Sequence, residues 1–155
     1  MKNIETKISV FRGHKIRKTI YQDEWWFSVE DIVLVLTDSQ DPKQYIKKMR
    51  KRDPELENNW GTICTPLKMI ARDNKKRKIL ASNTEGVFRI VQSIPSPKAE
   101  PFKRWLARVG YERIQEIENP ELAMDRAKAL YTFLTSPYAI QASLYVIPAK
   151  AGIQI

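Results

Sequence analysis

Three prolines fall within seven residues, Pro95, Pro97 and Pro101, in the stretch QSIPSPKAEPFKRWL. No other feature constrains the organisation of the chain as strongly. Such a cluster marks either a linker between domains or a fixed corner inside one. The flanks decide between them. Val91 and Ile94 precede the cluster, and Phe102 and Trp105 follow it, each pair at helical spacing. Apolar faces that continue on both sides imply a shared core. Proline fixes φ and is tolerated in the first turn of a helix. The cluster therefore predicts a rigid corner that stops one core helix and starts the next. The break in character comes later, near Thr135, where amphipathic periodicity ends.

A chain of 155 residues suits one domain with an appendage, long enough to bury a core without staples. Cys64 is the single cysteine, which excludes an intramolecular disulfide and fits a reducing compartment. No apolar run approaches the ~18 residues needed to span a bilayer, so no membrane partner is expected. The start, MKNIETKISV, has no apolar signal core and reads as mature protein. A cytoplasmic location follows.

The pattern along the chain predicts an α+β fold, with small antiparallel strands and a β-hairpin packed against several helices. KISVFRGHKIRKTIYQDEWWFS reads as three short strands. Ile8 and Val10, then Ile16, Lys18 and Ile20, alternate as half-buried strands do. Gly13-His14 and Gln22-Asp23 supply the turns. Of Trp25 and Trp26, at least one should enter the core. Ser28 with Asp31 begins a helix in the manner of a capping box. Val29 and Ile32 to Leu36 make that helix apolar nearly all round, so it should be buried. Glu30 and Asp31 are then helix-start charges and not catalytic acids. Asp41, Pro42 and Gln44 stand at N-cap, N1 and N3 of a second helix, which Asp53-Pro54 ends. Thr62 to Ala71 and Lys78 to Ala81 read as the arms of a hairpin, with Pro66 marking an edge or a bulge. NTEGVFRIVQSI is a short helix capped by Asn83 or Thr84, burying Val87, Phe88, Val91 and Ile94. Asn119-Pro120 starts a last helix, whose seam is Ala123, Ala127, Leu130 and Leu134. In the tail, only Leu144 to Ile147 suggests a strand. The expected division is 1–118 as the main domain, 119–134 as a helix packing on it or on a partner, and 135–155 as an atypical tail.

Charge narrows the function. The net value is +9, and it is unevenly spread. Residues 1–60 hold twelve basic and ten acidic groups, residues 61–115 hold twelve and four, and residues 116–155 hold three and four. A basic middle suggests a surface that faces a polyanion. Six of the ten residues 43–52 are basic and none is acidic. Lys43, Lys47, Lys48, Arg50, Lys51 and Arg52 would present a cationic face opposite Tyr45, Ile46 and Met49, as a helix lying on phosphates requires. Gln44, on the same helix, is the candidate for reading bases. A second basic group, Arg72, Lys75, Lys76, Arg77 and Lys78, sits at the hairpin tip, a wing-like element suited to a groove or a phosphate backbone. Lys103, Arg104 and Arg108 form a third candidate patch. The bland alternatives are a solvated helix face and a charged loop that blocks edge aggregation.

The chemistry of common enzymes is missing. One histidine, His14, and one cysteine cannot assemble a zinc site. The glycines match neither a P-loop nor a dinucleotide fingerprint. Cys64 has no histidine or acid partner in sequence and reads as a small core residue. No Asp/Glu cluster near the basic elements argues for a metal-dependent nuclease. No catalytic residue, metal ligand or cofactor is assigned.

Three blocks carry a family resemblance: WWFSVEDIVLVLTDSQDPKQYIKKMRKRDPEL, WGTICTPL and ASNTEGVFRIVQSIPSPKAEPFKRWLARVGYERIQEIENPELA. The chain resembles the BRO N-terminal (Bro-N) domain, and more closely antirepressor proteins of the DNA-damage-inducible protein D type, from about Ile8 to Tyr131. The resemblance implies a compact α+β domain of prophage, phage and large DNA virus proteins, which binds DNA, expected to be double-stranded, and serves transcription regulation or the DNA damage response. It implies no cofactor and no catalytic residue, and it suggests a bacterial or phage-infected cell and a nucleoid-associated protein. A protein-interaction role toward a repressor or a recombinase, or a homodimer through helix 119–134, is the rival expectation. Relatives usually continue into a further helical region. Here YVIPAKAGIQI follows and resembles a translated fragment of a dispersed bacterial repeat, so the reading frame is expected to be truncated.

Overall fold

The computed structural model describes residues 6–11 and 14–135. Strands β1 (Thr6–Phe11), β2 (His14–Tyr21), β3 (Glu24–Ser28), β4 (Cys64–Ile70) and β5 (Lys76–Asn83) form one antiparallel sheet in the order β1-β2-β3-β5-β4. The helices are α1 (Val29–Leu36), α2 (Pro42–Arg52), α3 (Pro54–Asn58), α4 (Trp60–Ile63), α5 (Thr84–Gln92), α6 (Glu100–Glu118) and α7 (Pro120–Leu134), with a 3-10 turn at Pro97–Ala99. This is the α+β architecture the patterning predicts. The chain divides into two compact units, one up to Glu100 and one from Pro101 onward.

In the first unit, Gln22 and Asp23 both take positive φ, 52° and 61°, and close the β2–β3 hairpin in two residues. That turn geometry matches the right-handed twist of the strands it joins. The sheet curls, so β2 and β4 approach each other although three places apart in the order. Trp26, Leu67, Met69, Ile79 and Ala81 pack together as one core cluster. Removing a side chain as large as Trp26 from such a site costs about 3–5 kcal/mol. Trp25 stays half-buried, with the Lys18 ammonium 4.3 Å from its ring centre.

Helix α1 is tied to β2 by a buried ion pair. Arg17 donates from Nε to Asp31 Oδ2 and from Nη2 to Asp31 Oδ1, both at 2.8 Å, and its backbone N–H donates to Oδ2 at 2.9 Å. The two side chains are 12% and 7% exposed. Removing one partner would strand a desolvated charge at a cost of about 3–5 kcal/mol. Ser28 Oγ accepts the Asp31 N–H, as the cap pattern requires. Helix α5 approaches β5 closely. A Cβ on Gly86 would lie 2.0 Å from Ser82 Oγ, whose hydroxyl donates to the Ile63 carbonyl, so only glycine fits there.

Several expectations shift. Trp60–Ile63 forms a helical turn, and the strand expected from Thr62 begins at Cys64. The return strand extends from Lys76, not Lys78, to Asn83, because its backbone pairs with β4 down to Ile70–Lys76. On β2 the buried phase reverses: Ile16 is buried, but Thr19 is buried in place of Ile20, which is 40% exposed. On α5 Val87 and Val91 are buried as expected, Ile90 is buried with them, and Phe88 is half-buried. β4 lies at a sheet edge, where Pro66 costs no ladder bond to a further strand. The proline segment does stop α5 and start α6, with Pro97 opening the 3-10 turn and Pro101 in the first turn of α6.

The second unit contains α6 and α7. Arg126 joins them, donating from Nη1 to Glu112 and pairing through Nε with Glu116, each at 2.8 Å. Asn119 caps α7 by accepting the Glu121 N–H. None of the described side chains of α7 is buried. Of the expected seam, Ala123 is half-buried and Ala127 and Leu130 are exposed. Val109, Ile114 and Ile117 of α6 are also exposed. The turn at Gly13, the strand expected at 144–147 and the tail from 136 lie outside the described residues.

Candidate nucleic-acid interface

Helix α2 is built by its ends. Asp41 Oδ1 accepts the Gln44 N–H at 3.0 Å, and Pro42 takes the first turn. Asp53 ends it, and its side chain then caps α3 by accepting the Leu56 N–H. Ile46 and Met49 are buried on the inner face. Gln44, Lys47, Lys48 and Lys51 follow at i, i+3, i+4 and i+7 and are all exposed, so they form one outward stripe. Lys43 and Arg52 flank it, and both are exposed. Like charges at i,i+4 oppose an isolated helix. Burial of Ile46 and Met49 offsets that repulsion.

The Asp53 junction holds the lower end of α2. Its carboxylate accepts from Ser93 Oγ at 2.5 Å and from Arg89 Nη2 at 2.9 and 3.0 Å. The serine hydroxyl above all, then the Leu56 N–H and the arginine, lower its pKa to about 2. It is therefore ionised and structural, with no capacity as a general base near neutrality.

The hairpin supplies the second basic group. Asn74 takes φ 58° at its tip, and the Ala71 N–H donates to the Lys75 carbonyl at 2.8 Å. Arg72 and Lys75 lie in this turn, whereas Lys76, Arg77 and Lys78 lie on β5. All five are exposed. Lys43 from α2, together with Arg72, Arg77 and Lys78 from the hairpin, lines one cleft of about 580 Å³. An adjoining cleft of about 360 Å³ shares Arg17 and Arg72 with it. Of the cations read from sequence, Lys43 alone represents α2 in this cleft, and Gln44, Lys47, Lys48, Arg50, Lys51, Arg52, Lys75 and Lys76 do not line it. Glu30 and Asp41 do line it.

The cations differ in their commitments. Arg50 pairs with Glu57 through Nε at 2.6 Å and Nη2 at 3.0 Å, and lies 4.8 Å from the Trp60 ring centre. Arg77 pairs with Asp73, which holds that carboxylate below its ordinary pKa. Arg52 lies 5.8 Å from the Tyr45 ring centre. Lys43, Lys47, Lys48, Lys51, Arg72, Lys75, Lys76 and Lys78 have no side-chain ion pair with any described residue. Lys103, Arg104 and Arg108 belong to α6 in the second unit, and Arg108 pairs with Glu112 at 3.4 Å. Sequence reasoning missed Arg17 and Glu30 as cleft residues. The sequence carried no signal for Arg17, because alternation along β2 does not say which of its faces is inside.

Among the described residues no group of three potential metal ligands comes together. Burial raises the Cys64 thiol to about 12, so it stays protonated and unreactive. No described helix is long and apolar enough to cross a membrane.

A curled antiparallel sheet carrying a lysine-faced helix and a basic hairpin presents the kind of cationic surface that polyanion-binding modules use. The family comparison is specific: the model of the BRO family N-terminal domain, Bro-N, matches residues 15–116, and the chain belongs to that family. Bro-N is a DNA-binding domain family of phage regulators and not a family of enzymes. No curated protein and no solved structure matches the chain significantly.

Proposed function

We propose that this chain is the DNA-binding regulatory domain of a prophage or phage antirepressor-type protein, holding double-stranded DNA by its phosphates through α2 and the β4–β5 hairpin. One observation carries the reading: Lys43 of α2 and Arg72 and Lys78 of the hairpin, none of them ion-paired with a described residue, border the same cleft. Duplex DNA suits the face better than single strands. On α2 itself the Tyr45 ring has the Arg52 guanidinium 5.8 Å from its centre, and the Trp60 ring beside Arg50 is buried, so neither offers a base an open face to stack on. Each phosphate neutralised releases counterions, and log K should fall against log salt with a slope of roughly −0.9 per contact. The test is a mobility-shift titration comparing wild type with the Lys47→Glu plus Lys76→Glu double variant. Loss of duplex binding by on the order of 100-fold or more is expected, with a shallower salt slope. Binding that ignores salt, or survives the double charge reversal, would sink the mechanism.

A second reading has its own support. Tyr111, Ile114, Ile117, Met124, Leu130 and Tyr131 on α6 and α7 are each more than half exposed. Apolar side chains in that number favour contact with protein. Under this reading the domain engages a repressor, a recombinase of the DNA damage response or a second copy of itself. The same double variant separates the two, since a protein contact on α6 and α7 would survive Lys47→Glu plus Lys76→Glu.

A further inference from the structure

The cleft between α2 and the hairpin contains three arginines, and they are not equivalent. Arg17 is committed to Asp31 and Arg77 to Asp73, so both forks are already filled by carboxylates. Arg72 has no such partner among the described residues, is exposed, and lines both adjoining clefts. Lys43 and Lys78 stand in the same cleft and likewise have no ion pair with any described residue. A guanidinium presents parallel N–H donors that match two oxygens of one phosphate, whereas an ammonium acts as a point charge. Glu30 and Asp41 also line the cleft and would repel an anion placed beside them.

We infer that Arg72 is the anchor that seats one phosphodiester of the DNA in this cleft through a two-pronged hydrogen bond, with Lys43 and Lys78 as flanking charges. The lysines of α2 and the tip then add attraction without fixing register. The assignment rests on the DNA-binding reading above and deepens it. It distinguishes Arg72 from its neighbours by shape as well as charge, and that distinction is measurable.

The experiment uses the full chain and a short duplex carrying single methylphosphonate linkages, each removing one backbone charge. In wild type, one linkage is expected to stand out, its neutralisation weakening binding by about 10-fold. Arg72→Ala should lose a similar factor on unmodified duplex and become indifferent to that linkage. Arg72→Lys keeps the charge and should recover less than half of the loss on a logarithmic scale. Lys75→Ala should weaken binding while leaving the sensitive linkage in place. If Arg72→Lys binds like wild type, or Arg72→Ala retains the sensitivity of wild type at every linkage, the anchor assignment is overturned while DNA binding itself stands. If wild type fails to bind the duplex at all, the parent reading fails and the anchor falls with it. Circular dichroism of each variant confirms folding, which an exposed tip residue should leave unchanged.

Discussion

Helices α2 and α7 begin in the same way and end in opposite circumstances. Asp41-Pro42 starts one and Asn119-Pro120 the other, each with a side-chain cap and a proline in the first turn. Helix α2 then buries Ile46 and Met49 and turns its lysines outward. Helix α7 has the more apolar sequence, yet none of its described side chains is buried. The comparison separates two things a helical pattern encodes. Caps and propensity say where a helix begins. Whether its apolar face meets a core depends on what the rest of the chain brings to it.

The largest expected effect tests that difference directly. Met49→Ala should destabilise the protein by about 2–5 kcal/mol, because Met49 is fully buried. Met124→Ala, at an exposed site of α7, should stay within about 0.5 kcal/mol. Urea denaturation followed by tryptophan fluorescence reads both. Equal losses would show that α7 is packed in solution and would erase the contrast.

The caps give a smaller effect that sharpens it. Asp41→Ala should lower global stability by about 1 kcal/mol, since α2 unfolds with the core. Asn119→Ala removes an equivalent hydrogen bond, but should shorten α7 locally and leave the main unfolding midpoint in place. Hydrogen exchange resolved along the two helices distinguishes fraying from global loss.

The smallest effect concerns pH at the lower end of α2. The Asp53 carboxylate is depressed in the folded protein to about 2. Its stabilising contribution is therefore complete above the ordinary carboxylate range and is lost as pH falls toward 2. Asp53→Asn should be less stable than wild type at neutral pH and show a flatter decline in Tm between about pH 4 and pH 2. Parallel acid profiles would mean that this junction does not couple to folding.

Much of this was legible in the sequence because it is local chemistry. The Gln22-Asp23 turn, the Ser28, Asp41 and Asn83 caps and the stop before Pro97 each depend on residues within a few positions of one another. Helix α4 was not legible. Its Asn59 offers no side-chain cap bond, and its Trp60–Ile63 segment carries no helical start signal. The reversed phase at the end of β2 was equally hidden. Alternation shows that neighbouring residues face opposite ways, but not which way is inside once a sheet curls.

The candidate site divides in the same manner. Which residues are cationic, and that they cluster on a helix, at a hairpin tip and in a third patch at Lys103, Arg104 and Arg108, follows from the sequence alone, because charge belongs to the side chain. Which cations remain free was decided by tertiary structure. Arg50 meets Glu57, Arg77 meets Asp73 across the turn, and Arg17 meets Asp31 across the sheet. Arg72 and Lys43, far apart in the chain, come to border one cleft only when α2 and the curled hairpin are in place. An ion pair or a cleft depends on distances between segments, and those distances are set by how the core packs, not by residues adjacent in sequence.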